Sequence, residues 1–200
     1  MQVINAVPFT GFLLILIFLT GRIRFLKSKG IKVSSITGKM KKTILLLYPI
    51  LGFIFLIWLF EIIKPVFQLS FSILPEILTN QFIESIFLKI SGVILILLSL
   101  ILWTITLIHF KTSLRFGLDE NNKDKLITTG IFSFSRNPFF LSLDLYFLGV
   151  ALIFPSPFFI VFTVLAVVSV HFFILKEERF LQKVYRDEYE KYAKKVRRYF

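Results

Sequence analysis

Five apolar runs dominate the chain and restrict what it can fold into. They cover Pro8–Leu19 (extending toward Phe25), Ile44–Ile63, Ile86–Phe110, Phe139–Phe154 and Phe158–Leu175. A helix needs ~20 apolar residues to cross a hydrocarbon core ~30 Å thick, and a soluble core does not ask for such runs. The expected fold is therefore an all-α integral membrane protein with about five transmembrane helices. Of the 200 residues, 56% are hydrophobic and 26 are phenylalanine, consistent with one domain whose solvent is lipid. The last two runs are joined by Pro155-Ser156-Pro157, a link that permits only a tight turn, so they form a helical hairpin. Both are slightly short, which calls for a thinned bilayer or for helix ends that continue into the interface. The first run has neither a preceding basic region nor a small-residue cleavage signal, and is expected to be retained as a helix.

Charge gives the orientation. Arg22, Arg24, Lys27, Lys29, Lys32, Lys39, Lys41 and Lys42 lie between the first two runs without a single acid. Lys111, Arg115, Lys123 and Lys125 follow the third, and the tail after the fifth has a basic excess. Lys64 alone faces Glu61, Glu76 and Glu84 between the second and third. The positive-inside rule places the amino terminus outside and the carboxyl terminus in the cytoplasm. The net charge of +12 is then explained by anionic lipid rather than nucleic acid, and no nucleic-acid partner is expected. With no cysteine and two histidines, neither thiol chemistry nor an ordinary zinc site is available, and no metal is expected.

From Leu181 through Tyr185, Tyr189, Tyr192 and Val196 to Tyr199, apolar and tyrosine residues recur at spacings of three and four, opposite a charged face. This predicts an amphipathic tail helix, which either continues from the fifth run or lies against the cytoplasmic mouth of the bundle, or else lies on the headgroups.

Polar residues at the membrane margins point to a site. Pro138 suits the first position of a helix, and Asn137 before it suits the N-cap. Arg136 does not fit there, because a cation at a helix N-terminus opposes the dipole. Lipid phosphate or a bound anion would each account for it. Asp144, two turns into the fourth run, costs ~2.5–3.5 kcal/mol on insertion scales and must face the bundle or a wet cavity. It is either a site residue or a protonated acid bonded to a neighbouring hydroxyl. Glu177 and Glu178 end the fifth run, where acids again oppose the dipole, and His171 lies nearly two turns before them. The hairpin brings these ends together, so an Arg–Glu ion pair and a polar pocket for a zwitterionic ligand both fit. His109, near the end of the third run, reads as an interface residue.

The segments "LITTGIFSFSRNPFFL" and "HFFILKEERFLQKVYRDEYEKYAKKVRRYF", separated by the proline-turn hairpin, resemble the isoprenylcysteine carboxyl methyltransferase family. More narrowly, they look like that family's prokaryotic members, which merge with the phospholipid methyltransferases. The resemblance covers roughly residues 113–200. Arg136, Pro138, His171, Glu177 and Glu178 stand at matching positions. Asn137 stands for a histidine, Phe140 for a tyrosine, Ser142 for a glycine, Tyr185-Arg186 for Phe-Gly, and Arg197 for a proline. The resemblance implies a membrane methyltransferase that uses S-adenosylmethionine, in a prokaryotic cell membrane, on a lipophilic acceptor. That acceptor is a carboxylate of a prenylated or lipid-like molecule, or a lipid amine. Residues 1–110 would be a three-helix membrane region and 111–200 the cofactor-binding region of one integrated domain. Gly130, Ile131, Phe132, Arg136, Asn137, Pro138, His171, Glu177 and Glu178 are then expected to bind the cofactor. Arg136 is also the expected catalytic residue, and Asp144 and Phe140 are expected to face the acceptor. Two alternatives use the same scaffold. One is a sterol-reductase-type enzyme using NADPH, which would carry a basic-acidic pair where Glu177-Glu178 stands. The other is a non-catalytic membrane protein.

Overall fold

The computed structural model describes residues 2–30, 42–110 and 126–199. The basic segments around Lys32–Lys41 and Lys111–Lys125, and the first residues of the family resemblance, lie outside the described residues.

The elements are α1 (Gln2–Ser28), α2 (Lys42–Phe67), a short α3 (Glu76–Thr79), α4 (Ile86–His109), a 3-10 turn (Gly130–Ser133), α5 (Pro138–Ile153), α6 (Pro157–Tyr185) and α7 (Asp187–Lys195). Among the described residues, four stretches are long and apolar enough to cross a membrane: Gln2–Ser28, Pro49–Phe67, Ile86–His109 and Pro157–Tyr185. The fourth run forms an apolar helix of only 16 residues, about 24 Å long at 1.5 Å per residue. Its length need not match the bilayer, because protein rather than lipid surrounds much of it. Leu141, Ser142, Asp144, Tyr146, Gly149, Val150 and Ile153 are all buried. By contrast, α2, α4 and α6 turn Ile50, Phe53, Leu56, Leu97, Ile101, Val161 and Val164 outward, as a lipid-facing surface should be.

Without a hydrophobic drive between helices in lipid, association rests on close packing and interhelical hydrogen bonds. α4 and α5 meet backbone to backbone. A Cβ built on Gly92 would lie 2.6 Å from the Gly149 carbonyl, and one on Gly149 would lie 2.7 Å from the Gly92 carbonyl. Along the same seam Ser99 Oγ donates to the Ser142 carbonyl at 2.7 Å, and Trp103 stacks on Phe139 with ring centroids 4.5 Å apart. α1 crosses both helices at Gly11, where Ile96 and Tyr146 close in, and the Tyr146 hydroxyl donates to the Pro8 carbonyl at 2.6 Å. Trp58 of α2, fully buried, ties the bundle together by packing on Phe12, Tyr146, Phe147 and Phe162. Each such ring pair is worth ~0.5–1.5 kcal/mol.

The expected hairpin is present. Pro157 opens α6 at its first turn, and Phe82 N–H donates to the Pro155 carbonyl at 2.9 Å, so the segment before α4 covers the turn. α6 runs ten residues past Leu175, to Tyr185. The single tail helix expected from the Leu181–Tyr199 spacing is instead broken. Arg186 takes φ 46° and ψ −119°, which ends α6 and turns the chain back into α7. Tyr189 and Tyr192 are buried beneath α7, and residues 196–199 return without helix to the start of α5. Of the placements open to the tail, continuation from the fifth run holds as far as Tyr185, and beyond it the chain covers the mouth of the bundle.

Candidate active site

The end of the bundle where α5 begins and α6 leaves its apolar stretch is organised by one carboxylate. Glu178 Oε1 accepts from Arg136 Nε at 3.0 Å, Arg136 Nη2 at 2.9 Å and Asn137 Nδ2 at 3.2 Å. Its Oε2 accepts from Arg198 Nε at 3.0 Å and Arg198 Nη2 at 2.8 Å. Both oxygens of this buried acid are therefore fully used, and Glu178 in turn holds the Arg198 guanidinium above its usual range.

The unfavourable position of Arg136 now has a local explanation. Glu178 brings a negative charge to the α5 N-terminus beside it, which offsets the cation. Arg136 Nη1 reaches the other way, to the Ala193 carbonyl at 2.9 Å and the Val196 carbonyl at 3.2 Å. These carbonyls end α7, where a cation is favoured. One guanidinium thus joins α5, α6 and α7. The backbone repeats the connection: Arg136 N–H donates to the Arg197 carbonyl at 3.0 Å, and Ser135 Oγ donates to the Arg198 carbonyl at 3.3 Å. Arg197 contributes its carbonyl here, a group that a proline would also supply.

Asn137 occupies the N-cap position before Pro138 but makes no side-chain cap. Its amide donates instead to Glu178 and, at 3.3 Å, to the Arg198 carbonyl. The expected capping role is therefore overturned: the buried carboxylate and the returning tail compete successfully for that side chain.

The turn Gly130–Ser133 lies beside this network. Gly130 has φ 67°, and any side chain there would run into the His109 ring, whose Nδ1–H donates to the Ile105 carbonyl at 2.8 Å. His109 is thus a packing partner of the turn rather than a solitary interface residue. The Tyr192 hydroxyl donates to the Phe132 carbonyl at 2.6 Å and so joins α7 to the turn.

Between α6 and α7 opens a cleft of about 310 Å³, lined among others by Arg136, Glu178, Gln182, Tyr189, Glu190 and Arg198. That volume lies at the lower end of the ~300–1,000 Å³ usual for ligand pockets. Tyr189 is 4% exposed, yet its hydroxyl has no hydrogen-bond partner among the described residues. Burial first, then the Glu178 carboxylate, push this hydroxyl up to about 12. Half-buried Glu177, next to Glu178, lies within electrostatic reach of Tyr189 but outside the lining of the cleft. His171 is not in the Glu178 network: its Nδ1 pairs with the Tyr199 hydroxyl at 2.7 Å, with the two rings stacked. Phe140 packs on Phe173, at a centroid distance of 5.4 Å. Sequence spacing singles out neither Arg198, which looks like one more base of a basic tail, nor the individual duties of Tyr189, Tyr192 and Tyr199.

An all-helical membrane protein with a polar site at one end of a helical hairpin is the class this architecture defines. Residues 87–188, from α4 into α7, match the family model described as phospholipid methyltransferase, and the chain belongs to that family. No curated protein matches the chain, and no solved structure does. The match stops short of the Arg198 segment that closes the network.

Proposed function

We infer that the chain is a membrane-embedded methyltransferase that uses S-adenosylmethionine to methylate a lipophilic acceptor. The site would be the cleft between α6 and α7 and the hairpin end beneath it. The observation that carries this reading is the buried Tyr189 hydroxyl in the wall of that cleft, which has no hydrogen-bond partner among the described residues, with the Glu177 carboxylate within electrostatic reach of it. A buried polar group without a partner costs ~1–3 kcal/mol, which a ligand that completes the bond would recover. S-adenosylmethionine carries an ammonium and ribose hydroxyls, donors suited to Glu177, and a carboxylate and ring nitrogens, acceptors suited to the Tyr189 hydroxyl and the Gln182 amide. The residues present therefore fit the group.

When bound, S-adenosylmethionine supplies a methyl already activated on sulfur. What remains for the chain is to bind, orient and exclude water. Glu177, Tyr189 and Gln182 would hold the cofactor. Arg136, whose Nε, Nη1 and Nη2 donate to Glu178 and to the Ala193 and Val196 carbonyls, would serve as the positioning residue that keeps α5, α6 and α7 in register around it. Asn137 and Pro138 set the start of α5 within the same frame. The Gly130–Phe132 turn, tied to α7 by the Tyr192 hydroxyl, would border the site. His171, Phe140 and Asp144 lie toward the membrane, where the acceptor's polar end would reach the site from between α5 and α6. Arg22, Arg24, Lys27 and Lys29 close α1 at the same end, which supports a cytoplasmic site under the positive-inside rule.

Thermal unfolding of the purified full chain with S-adenosylhomocysteine, S-adenosylmethionine or NADPH tests the reading. Stabilisation by the first two and not by NADPH is expected. Stabilisation by NADPH alone would assign a reductase, and no response to any of them would favour a non-catalytic scaffold.

A further inference from the structure

Close approach explains Gly92 and Gly149 at the α4–α5 seam and Gly11 beneath Ile96 and Tyr146. It does not explain Gly21, well inside α1, where an added Cβ would meet nothing within 4 Å. Glycine inside a helix is destabilising relative to alanine, and no neighbouring backbone requires one here. What the missing side chain leaves is space. A groove of about 310 Å³ runs between α1 and α4, walled by Phe18, Gly21 and Phe25 on one side and by Thr104, Leu107 and Ile108 on the other. Phe18, Phe25 and Ile108 are exposed and Leu107 is buried, so the groove opens sideways, where lipid would lie. The Thr104 hydroxyl donates to the Leu100 carbonyl at 2.8 Å and makes no polar demand on an occupant. Such walls suit an aliphatic chain.

Charge enters at one end. Among the residues that line the groove, Arg22 alone is charged, and its guanidinium carbon lies 5.4 Å from the Phe25 ring centroid. Lys29 Nζ lies 4.6 Å from the same centroid. Arg24 and Lys27 stand on the same stretch of α1, and neither α1 nor α4 contains an acid. Phe18 lies one turn before Arg22, toward the membrane interior, and Phe25 and Lys29 lie after it. Apolar walls and cations thus follow the order of a phospholipid, tail inward and headgroup at the margin. A guanidinium fork matches phosphate oxygens, and basic pockets between membrane helices take anionic headgroups.

We propose that the α1–α4 groove binds one phospholipid of net negative charge, with an acyl chain between Phe18, Gly21 and Leu107 and the phosphate on Arg22. The bases around it, with no acid on either helix, favour an anionic over a zwitterionic headgroup. The groove shares no lining residue with the α6–α7 cleft, so this site is independent of the methyltransferase reading. Its occupant is a resident lipid, not the methyl acceptor.

The test is saturation binding of radiolabelled dioleoyl phosphatidylglycerol to the purified full chain in neutral-detergent micelles. Dioleoyl phosphatidylcholine and inorganic phosphate serve as competitors, and thermal unfolding of each variant checks folding. Wild type should bind one phosphatidylglycerol per chain, and phosphatidylcholine should compete roughly tenfold less well. Arg22→Gln should weaken binding roughly tenfold, as loss of a charged hydrogen-bonding group does. Arg24→Gln, outside the lining, should weaken it less. Gly21→Leu should fill the groove without a clash and abolish saturable binding, while its unfolding midpoint is kept or raised. Absence of saturable binding in wild type, or unchanged binding in Gly21→Leu, would overturn the site. Equal losses in Arg22→Gln and Arg24→Gln would also overturn it, by showing a diffuse charge effect. Displacement by inorganic phosphate at constant ionic strength would reject the lipid in favour of a free anion. A wild-type dimer in light scattering that Gly21→Leu dissociates would reject it in favour of a second copy of the chain.

Discussion

Replacing Glu178 by alanine removes the acceptor of five donor contacts and leaves the Arg136 guanidinium, only 12% exposed, without its counter-ion. Deleting one partner of a buried pair costs ~3–5 kcal/mol. Arg136 keeps the Ala193 and Val196 carbonyls, so the lower figure applies. Arg198 is 35% exposed and regains water, so it adds nothing to the estimate. About 3 kcal/mol should fall on docking of the tail rather than on the bundle, because the Gly92–Gly149 seam does not involve Glu178. At ~1.4 kcal/mol per tenfold, local opening of α7 should rise roughly a hundredfold. Hydrogen exchange read by mass spectrometry would report this as faster exchange over Asp187–Lys195, with Ile86–His109 unchanged. The double variant Arg136→Ala/Glu178→Ala should open α7 by less than the sum of the two single variants, since the unpaired cation is gone. Exchange over α7 within threefold of wild type in Glu178→Ala would refute the role given to this carboxylate.

Other expectations follow from local geometry. Arg186→Gly should raise stability by about 1 kcal/mol in chemical unfolding, because a non-glycine residue at φ 46° is strained and glycine's larger unfolded-state entropy cancels only part of the gain. Gly92→Ala should lower the thermal midpoint markedly, as its methyl would lie 2.6 Å from a backbone carbonyl that cannot move aside, whereas Gly52→Ala, with open space around it, should not. Gly130→Ala should destabilise through both its φ of 67° and the His109 ring; adding His109→Ala should recover the steric part and leave the backbone part, as measured by unfolding of the double variant. Tyr192→Phe should cost about 1 kcal/mol in the same assay by freeing the Phe132 carbonyl.

What the sequence made legible follows from what is local in the physics. Apolar runs and the Pro155-Ser156-Pro157 link define spans and a hairpin without reference to distant residues, and those elements stand where expected. The helices outrun the apolar segments, α1 to Ser28 and α6 to Tyr185, because a helix continues into water after its apolar residues end. The break in the tail helix is invisible in the sequence because a 3.6-residue pattern survives an interruption of one residue, and only backbone angles reveal the turn at Arg186. Arg136 announced itself by its conflict with the helix dipole, but its partner could not be chosen from spacing. Glu177 and Glu178 are adjacent, about 100° apart around the helix, and only the packing of α6 on α5 shows that Glu178 faces Arg136. Arg198 and Tyr199 were illegible for the same reason: they reach α5 and α6 by a chain reversal that sequence pattern does not encode.

Photo-labelling tests the central claim most directly. The purified full chain, irradiated with S-adenosylmethionine radiolabelled in its methyl group and then digested, should carry label in the peptides spanning Leu175–Tyr199. Excess S-adenosylhomocysteine should prevent the labelling, and Glu177→Ala should reduce it while α7 keeps its protection from exchange. Absence of labelling in wild type, or label confined to α1 and α2, would contradict a cofactor site between α6 and α7.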